Sequence, residues 1–342
     1  MAKTNPGRFF EDYRLGEVIA HAVPRTVSGG ERALYHALYP ARHALASSDE
    51  FARACGLPVS PMDDLITFHT VFGKTVPDIS LNAVANLGYA EGRFLAPVYP
   101  GDTLRSESEV IGLKQNSNGK SGVVYVRTTG RNQDNQSVLE YVRWVMVRKG
   151  NLDAPAPDTT IPELADVVSP DDLVLPEGLD FTGYDFALAG EPHRWGDYTV
   201  GERIDHVDGV TIEEAEHMLA TRLWQNTAKV HFDATFRPDG RRLIYGGHVI
   251  SMARALSFNG LANASMIVGL NGGAHANPCF AGDTIKAWTE VLGKAETSAP
   301  GVGALRLRLV ATKGAPFELK GEDGKYLPDV LLDLDYWALV PV

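Results

Sequence analysis

Asp12-Tyr13-Arg14-Leu15-Gly16-Glu17-Val18-Ile19-Ala20-His21 returns later in the chain as Asp197-Tyr198-Thr199-Val200-Gly201-Glu202-Arg203-Ile204-Asp205-His206, with six of ten positions identical at a spacing of 197 − 12 = 185. Thr26-Val27 and Thr211-Ile212 keep that spacing. A second match, Pro97-Val98-Tyr99-Pro100-Gly101-Asp102-Thr103-Leu104 against Pro278-Cys279-Phe280-Ala281-Gly282-Asp283-Thr284-Ile285, stands at 278 − 97 = 181, and Gly88 and Gly92 pair with Gly269 and Gly273 in the same register. The matches run in the same order in both halves, and their spacing drifts by only four residues. One module is therefore written twice. Residues 151–193, rich in Pro, Asp and Glu, read as a solvated, extended crossover between an N-terminal module (1–150) and a C-terminal module (194–342).

Each copy repeats one pattern: a short opening strand, a helical region, a longer apolar helix and several alternating strands. Strands are expected near 91–97, 102–113, 121–132 and 137–148 in the first half, and near 283–294, 304–313 and 330–339 in the second. The stretch 246–261 carries only Arg254 as a charge and is expected to be a helix buried nearly all round. An antiparallel sheet wrapped around one apolar helix is an α+β architecture, and two copies should pair their sheets edge to edge.

The chain of 342 residues is long enough for two such modules, and its net charge of −11 opposes binding to nucleic acid or to anionic membrane surfaces. No uncharged apolar run approaches the roughly 18 residues of a membrane span. Two cysteines, Cys55 and Cys279, form no Cys/His cluster, so neither a disulfide framework nor a metal site is expected, and a reducing cytoplasm suits them. The repeated His21 and His206 read as structural, because only one half should carry the chemistry. The two Gly-Asp-Thr turns read the same way.

The second half holds Trp224-Gln225-Asn226-Thr227-Ala228-Lys229-Val230-His231-Phe232-Asp233, then Ile244-Tyr245-Gly246-Gly247-His248 opening the apolar helix. This arrangement resembles the MaoC-like enoyl-CoA hydratases of the hotdog fold, whose motif places an acid five residues before a histidine and a glycine turn at the start of the central helix. The resemblance covers nearly the whole chain and implies a double hotdog. It also implies reversible hydration of a short branched enoyl-CoA of the mesaconyl-CoA type, with coenzyme A as part of the substrate, no separate cofactor, and a homo-oligomer. The sequence departs from the motif in having Asn226 where the family has the acid. The first half departs further: Arg42-His43 keeps a histidine without its partner, so the second half is expected to do the chemistry.

Adding water to a conjugated thioester needs a base, a proton source for the α carbon, and donors for the thioester oxygen. His231 is the candidate base and Asn226 its partner, holding the water through its amide oxygen. Asp233 and the pair Asp63-Asp64 are the carboxylates that could serve instead. A backbone N–H of Gly247 or His248 is the candidate oxyanion donor. His43 is a weaker candidate for the substrate site. A carboxylate on the acyl group calls for an arginine, and Arg42, Arg222, Arg241 and Arg242 flank the motif regions. Two other readings stay open: a hotdog acyl-CoA thioesterase, and a non-catalytic acyl-CoA binding module, kept in play by the loss of the family acid.

Overall fold

A computed structural model describes residues 3–314 and 318–342. The first half contributes β1 (Val18–Thr26), β2 (Ala83–Phe94), β3 (Thr103–Gln115), β4 (Ser121–Arg131) and β5 (Ser137–Arg148). The second contributes β6 (Arg203–Thr211), β7 (Met266–His275), β8 (Thr284–Glu296), β9 (Val302–Thr312) and β10 (Val330–Pro341). All ten form one sheet in the order β1-β3-β4-β5-β2-β7-β10-β9-β8-β6. Every pairing is antiparallel, and the second half mirrors the first across the β2–β7 junction. The repeated glycines lie at that junction, where Tyr89 faces Gly273 and Arg93 faces Gly269. A side chain at Gly273 would put its Cβ 2.9 Å from the Tyr89 ring, so glycine is what allows the tyrosine to lie across the seam.

One central helix lies against each half of the sheet: Asp64–Thr75 in the first and Gly246–Leu256 in the second. Both are buried almost all round, as their composition predicts. They belong to one continuous core that spans both halves. His69 of the first helix bonds Ser251 Oγ of the second through Nε2 at 2.8 Å, which fixes the two helices against each other.

Three expectations need correction. The second helix ends at Leu256 rather than 261. Its continuation is broken at Asn259 and Gly260 (φ +104°), where the Asn259 carbonyl accepts from His206 Nδ1 and the Gly260 carbonyl from the Tyr198 hydroxyl. Hydrogen bonds to the opening of the same module thus replace the last helical turn. Strand β2 begins at Ala83, eight residues before the expected 91, although Ala83-Val84-Ala85-Asn86 has weak strand preference. Pairing with β5 carries this stretch along one edge, while the pairing with β7 begins only at Tyr89, and that tertiary context overrides propensity. The 151–193 crossover is extended but not simply solvated: Val168, Leu173, Leu179, Phe181, Tyr184 and Ala189 are buried against Met266, Val268, Trp337 and Leu339. Strands β7 and β10 are thus covered on both faces, by the helix on one side and by the crossover on the other.

The repeated motifs are structural twins. His21 is buried between Asp78 and Ser108, and His206 between Asn259 and Thr289. In the two turns, Asp102 accepts from the Tyr99 N–H and Asp283 from the Phe280 N–H, beside glycines at φ +106° and +92°.

Candidate active site

A cleft of about 310 Å³ opens between the two halves at the start of the second central helix. The second half supplies Asn226, Lys229, His231, Tyr245, Gly246 and His275. The first half supplies the opposite wall, with Phe72, Tyr89 and Arg143 among its residues. Among the described residues no Asp or Glu lines it, so within a chain of net charge −11 the described lining is cationic and neutral.

The helix start is built to leave donors free. Tyr245 occupies the cap position without capping the helix through its side chain. The His248 N–H is already spent on the Tyr245 carbonyl at 2.9 Å. The Gly246 and Gly247 N–H groups make no hydrogen bond of their own, and they lie at the positive end of the helix dipole. Glycine is required at both positions by close approach: a Cβ at Gly246 would lie 2.5 Å from the His275 ring, and one at Gly247 2.6 Å from His69. Of the two donors, Gly246 is on the cleft wall.

Residues 229–232 make a single helical turn that carries His231. Two hydrogen bonds lock this turn to the loop ahead of the central helix: the Leu243 N–H donates to the Val230 carbonyl at 3.0 Å, and His231 Nδ1–H donates to the Leu243 carbonyl at 2.8 Å. Because a carbonyl can only accept, the proton sits on Nδ1, and the Nε2 lone pair is left for the cleft. Burial pushes the imidazole down to about 4, so it is neutral at pH 7 rather than half-titrated. His275 is likewise lowered to about 4 by burial, with His231 as a neighbour, and its Nε2 lies 3.2 Å from the Tyr89 hydroxyl.

Asn226 is buried and follows Gln225, whose φ of +54° turns the chain out of the preceding helix. Its Oδ1 accepts from the Ala228 N–H at 3.1 Å, which fixes the amide orientation. The amide NH2 has no partner among the described residues and is available to the cleft as a donor, while Oδ1 keeps a second lone pair.

The other sequence candidates are placed elsewhere. His248 is fully buried, bonded through Nδ1 to the Tyr39 hydroxyl, and outside the cleft lining. Asp233 caps a short turn through Thr235, exposed to solvent. Asp63 caps the first central helix on the Leu65 N–H. Asp64 accepts from the Ile267 N–H, and its burial raises it to about 8. His43 is buried, accepts from Arg254 through Nε2 at 2.8 Å, and is held well below its ordinary range by burial and that guanidinium. Arg42 stacks on Phe258, Arg241 stacks on Phe280, Arg242 pairs with Glu214, and Arg222 is exposed; none lines the cleft.

Arg143 and His275 are the residues that sequence reasoning passed over. A signal for Arg143 was present: with a period of two it falls in phase with Leu139, Tyr141, Val145 and Val147, a cation on the apolar face of a strand. His275, at the end of a strand behind two glycines, carried none.

The constellation offers a neutral imidazole acceptor, a free amide donor and uncapped helix N–H groups around one apolar cleft. It can position water beside an electrophile whose oxygen gains charge. Comparison with known proteins agrees. The mesaconyl-CoA hydratase family profile matches residues 1–315. A mesaconyl-CoA hydratase from Cereibacter sphaeroides is 80% identical over 341 residues, covering 99% of both chains, and a β-methylmalyl-CoA dehydratase from Chloroflexus aurantiacus is 59% identical over 99% of both. A crystal structure of a MaoC domain dehydratase from Chloroflexus aurantiacus superposes with a TM-score of 0.97 at 58% identity, covering 100% of this chain and 99% of that one. A double-hotdog protein from Mycobacterium tuberculosis superposes at 0.74 with 25% identity, over 98% of both chains. The chain belongs to the mesaconyl-CoA hydratase family, hydro-lyases with a double hotdog fold.

Proposed function

We propose that this chain catalyses the reversible hydration of mesaconyl-CoA to β-methylmalyl-CoA, with His231 as the base and the cleft at the start of the second central helix as the site. The observation that carries the reading is the free Nε2 of a neutral, Nδ1-locked His231 in a cleft without carboxylates. Family membership supplies the substrate class.

In this reading a water hydrogen-bonds to His231 Nε2, which takes its proton as the C–O bond forms at the β carbon. The π electrons move onto the thioester oxygen, where the Gly246 or Gly247 N–H receives the developing charge. The Asn226 NH2 donates either to that oxygen or to the incoming water. The α carbon then takes that proton from Nε2–H of His231, which returns to its neutral form, so the balance closes with water as the only reagent. The dehydration direction runs the same steps backwards.

The test is an absorbance assay on purified protein in chelator-containing buffer. Mesaconyl-CoA should lose its conjugated-thioester absorbance, and faster than crotonyl-CoA does. Unchanged absorbance with both substrates contradicts the reading. Release of free thiol from saturated acyl-CoA would instead mark a thioesterase.

A further inference from the structure

Arg143 has no surface exposed to bulk solvent, yet it is one of the residues that line the cleft. Nη2 donates to Thr75 Oγ1 at 2.6 Å, whereas Nε and Nη1 are buried without any hydrogen-bond partner. No carboxylate lies within ion-pair distance of it among the described residues. Its surroundings are neutral: the charge lies over the Phe72 ring at 4.3 Å and acts on the phenols of Tyr89, Tyr141 and Tyr245. Asp78, on the segment after the first central helix, is engaged by His21. A buried, unpaired guanidinium is costly unless an anion completes it.

Its counterpart in the other half shows what a structural arginine looks like here. Arg143 is the seventh residue of β5, and Tyr336 is the seventh of β10. Phe72 and Arg254 are each the ninth residue of their central helices. Cation and ring have thus exchanged elements, with Arg143 over Phe72 and Arg254 over Tyr336. Arg254 is engaged at both ends of its fork, donating through Nη1 to His43 and Ser257 and through Nη2 to the Ala264 carbonyl. Of the two, Arg143 is the one that keeps buried donors without a partner among the described residues.

We propose that Arg143 receives the free carboxylate of the acyl group through an unpartnered donor, and so selects dicarboxylic over monocarboxylic acyl-CoA esters. This rests on the hydratase reading above. Nε–H and Nη1 face different edges of the guanidinium plane, as the side-on Nε/Nη2 pairings of Arg237, Arg242 and Arg306 show, so the carboxylate meets one of the two free donors with the guanidinium charge behind it.

The experiment measures binding of succinyl-CoA and butyryl-CoA, two saturated esters that differ in the distal carboxylate, to the full chain and to Arg143→Met and Arg143→Lys. The unaltered protein should prefer succinyl-CoA by about 10- to 100-fold, the size of a charge-assisted pair. Arg143→Met should erase that preference while leaving butyryl-CoA affinity intact, and Arg143→Lys should keep part of it. Equal loss of both ligands in a folded Arg143→Met, or a preference that survives it, overturns the proposal. Should the variants not fold, the unaltered protein decides: it should bind succinyl-CoA more tightly than the distal amide, and equal binding overturns the proposal. The two readings fail separately. A retained succinyl-CoA preference without hydration of mesaconyl-CoA defeats the reaction alone, and unchanged KM for mesaconyl-CoA in Arg143→Met defeats the arginine alone.

Discussion

At the start of the first central helix, Asp63 turns its carboxylate onto the Leu65 N–H and Asp64 bonds Ile267 of the neighbouring module. The space there is about 10 Å³, closed by Phe94–Pro97 and by Val174, Leu175 and Pro176 of the crossover. At the start of the second helix, Tyr245-Gly246-Gly247 caps nothing, and about 310 Å³ of cleft stands open. The two places are equivalent by the repeat, since Pro97 matches Pro278 and each space is lined by the start of a central helix and the end of the following strand. The crossover runs past both halves, pairing Thr160 with Leu113 of β3 and then burying its apolar residues over β7 and β10, and its Val174–Pro176 stretch fills the equivalent cleft. Duplication thus gives two sites in principle, while self-capping and filling leave one. The closed half is not idle, because its Phe72, Tyr89 and Arg143 form the far wall of the open one.

The comparison can be broken most forcefully at the paired histidines. His231→Ala should lower kcat for hydration by about 10² to 10⁴, the size of a general acid–base contribution. His43→Ala should leave kcat near normal and lower the melting temperature, since His43 serves Arg254 rather than substrate. The reverse pattern would move the chemistry to the first half.

Asn226→Asp restores the family acid but replaces a donor with an anion beside an anionic substrate. Because the Ala228 bond holds the oxygen and turns the NH2 to the cleft, the change removes that donor, and the account expects kcat/KM to fall by about 10² to 10³, as for loss of an oxyanion donor. A gain would show that the carboxylate, not the amide, is the better partner for His231.

The two helix starts give a sharper and smaller contrast. Gly246→Ala places a methyl against the His275 ring and should reduce kcat/KM on the order of ten- to a hundredfold through misplacement, without a comparable loss of stability. Asp63→Ala should cost about 1 kcal/mol of unfolding free energy, read by denaturant titration, with activity preserved.

The pH profile of stability is the gentlest test. His69, His206, His231, His248 and His275 are each pushed down to about 3 or 4 by burial. Between there and their unfolded value near 6.5 the unfolded chain binds more protons, so stability falls as pH drops through 6.5 towards 4. His21, His36, His43 and His217 are lowered by burial too, whereas Asp64, raised to about 8, acts in the opposite sense over that window together with Asp63, Glu216 and Asp333, four groups against nine. Melting temperatures should therefore decline from pH 7 to pH 5, and a flat profile would mean that these imidazoles are not buried neutral.

Much of this was legible in the sequence because the repeat is a symmetry statement. It gave two copies, their order and the apolar helix of each, and the motif placed His231 and Asn226 in the later copy. What escaped depended on tertiary context. The start of strand β2 is held by β5 rather than by its own Ala and Asn residues. Gly260 ends a helix because His206 and Tyr198 claim the carbonyls there. The acidic crossover hides apolar teeth at Leu173, Leu179 and Phe181, spaced too irregularly for any period. Asp63 and Asp64 looked like chemistry but cap and brace, a difference set by which N–H each one meets. Proximity to the motif did not point to Arg143, because it lines the cleft from the other half of the chain.

A structure of the full chain with succinyl-CoA tests the central claim most directly. The account predicts the thioester oxygen within hydrogen-bond reach of the Gly246 or Gly247 N–H, the β carbon facing His231 Nε2, and the distal carboxylate on Arg143. A thioester lying instead against Asp63 and Asp64, or at any place away from His231, would contradict it.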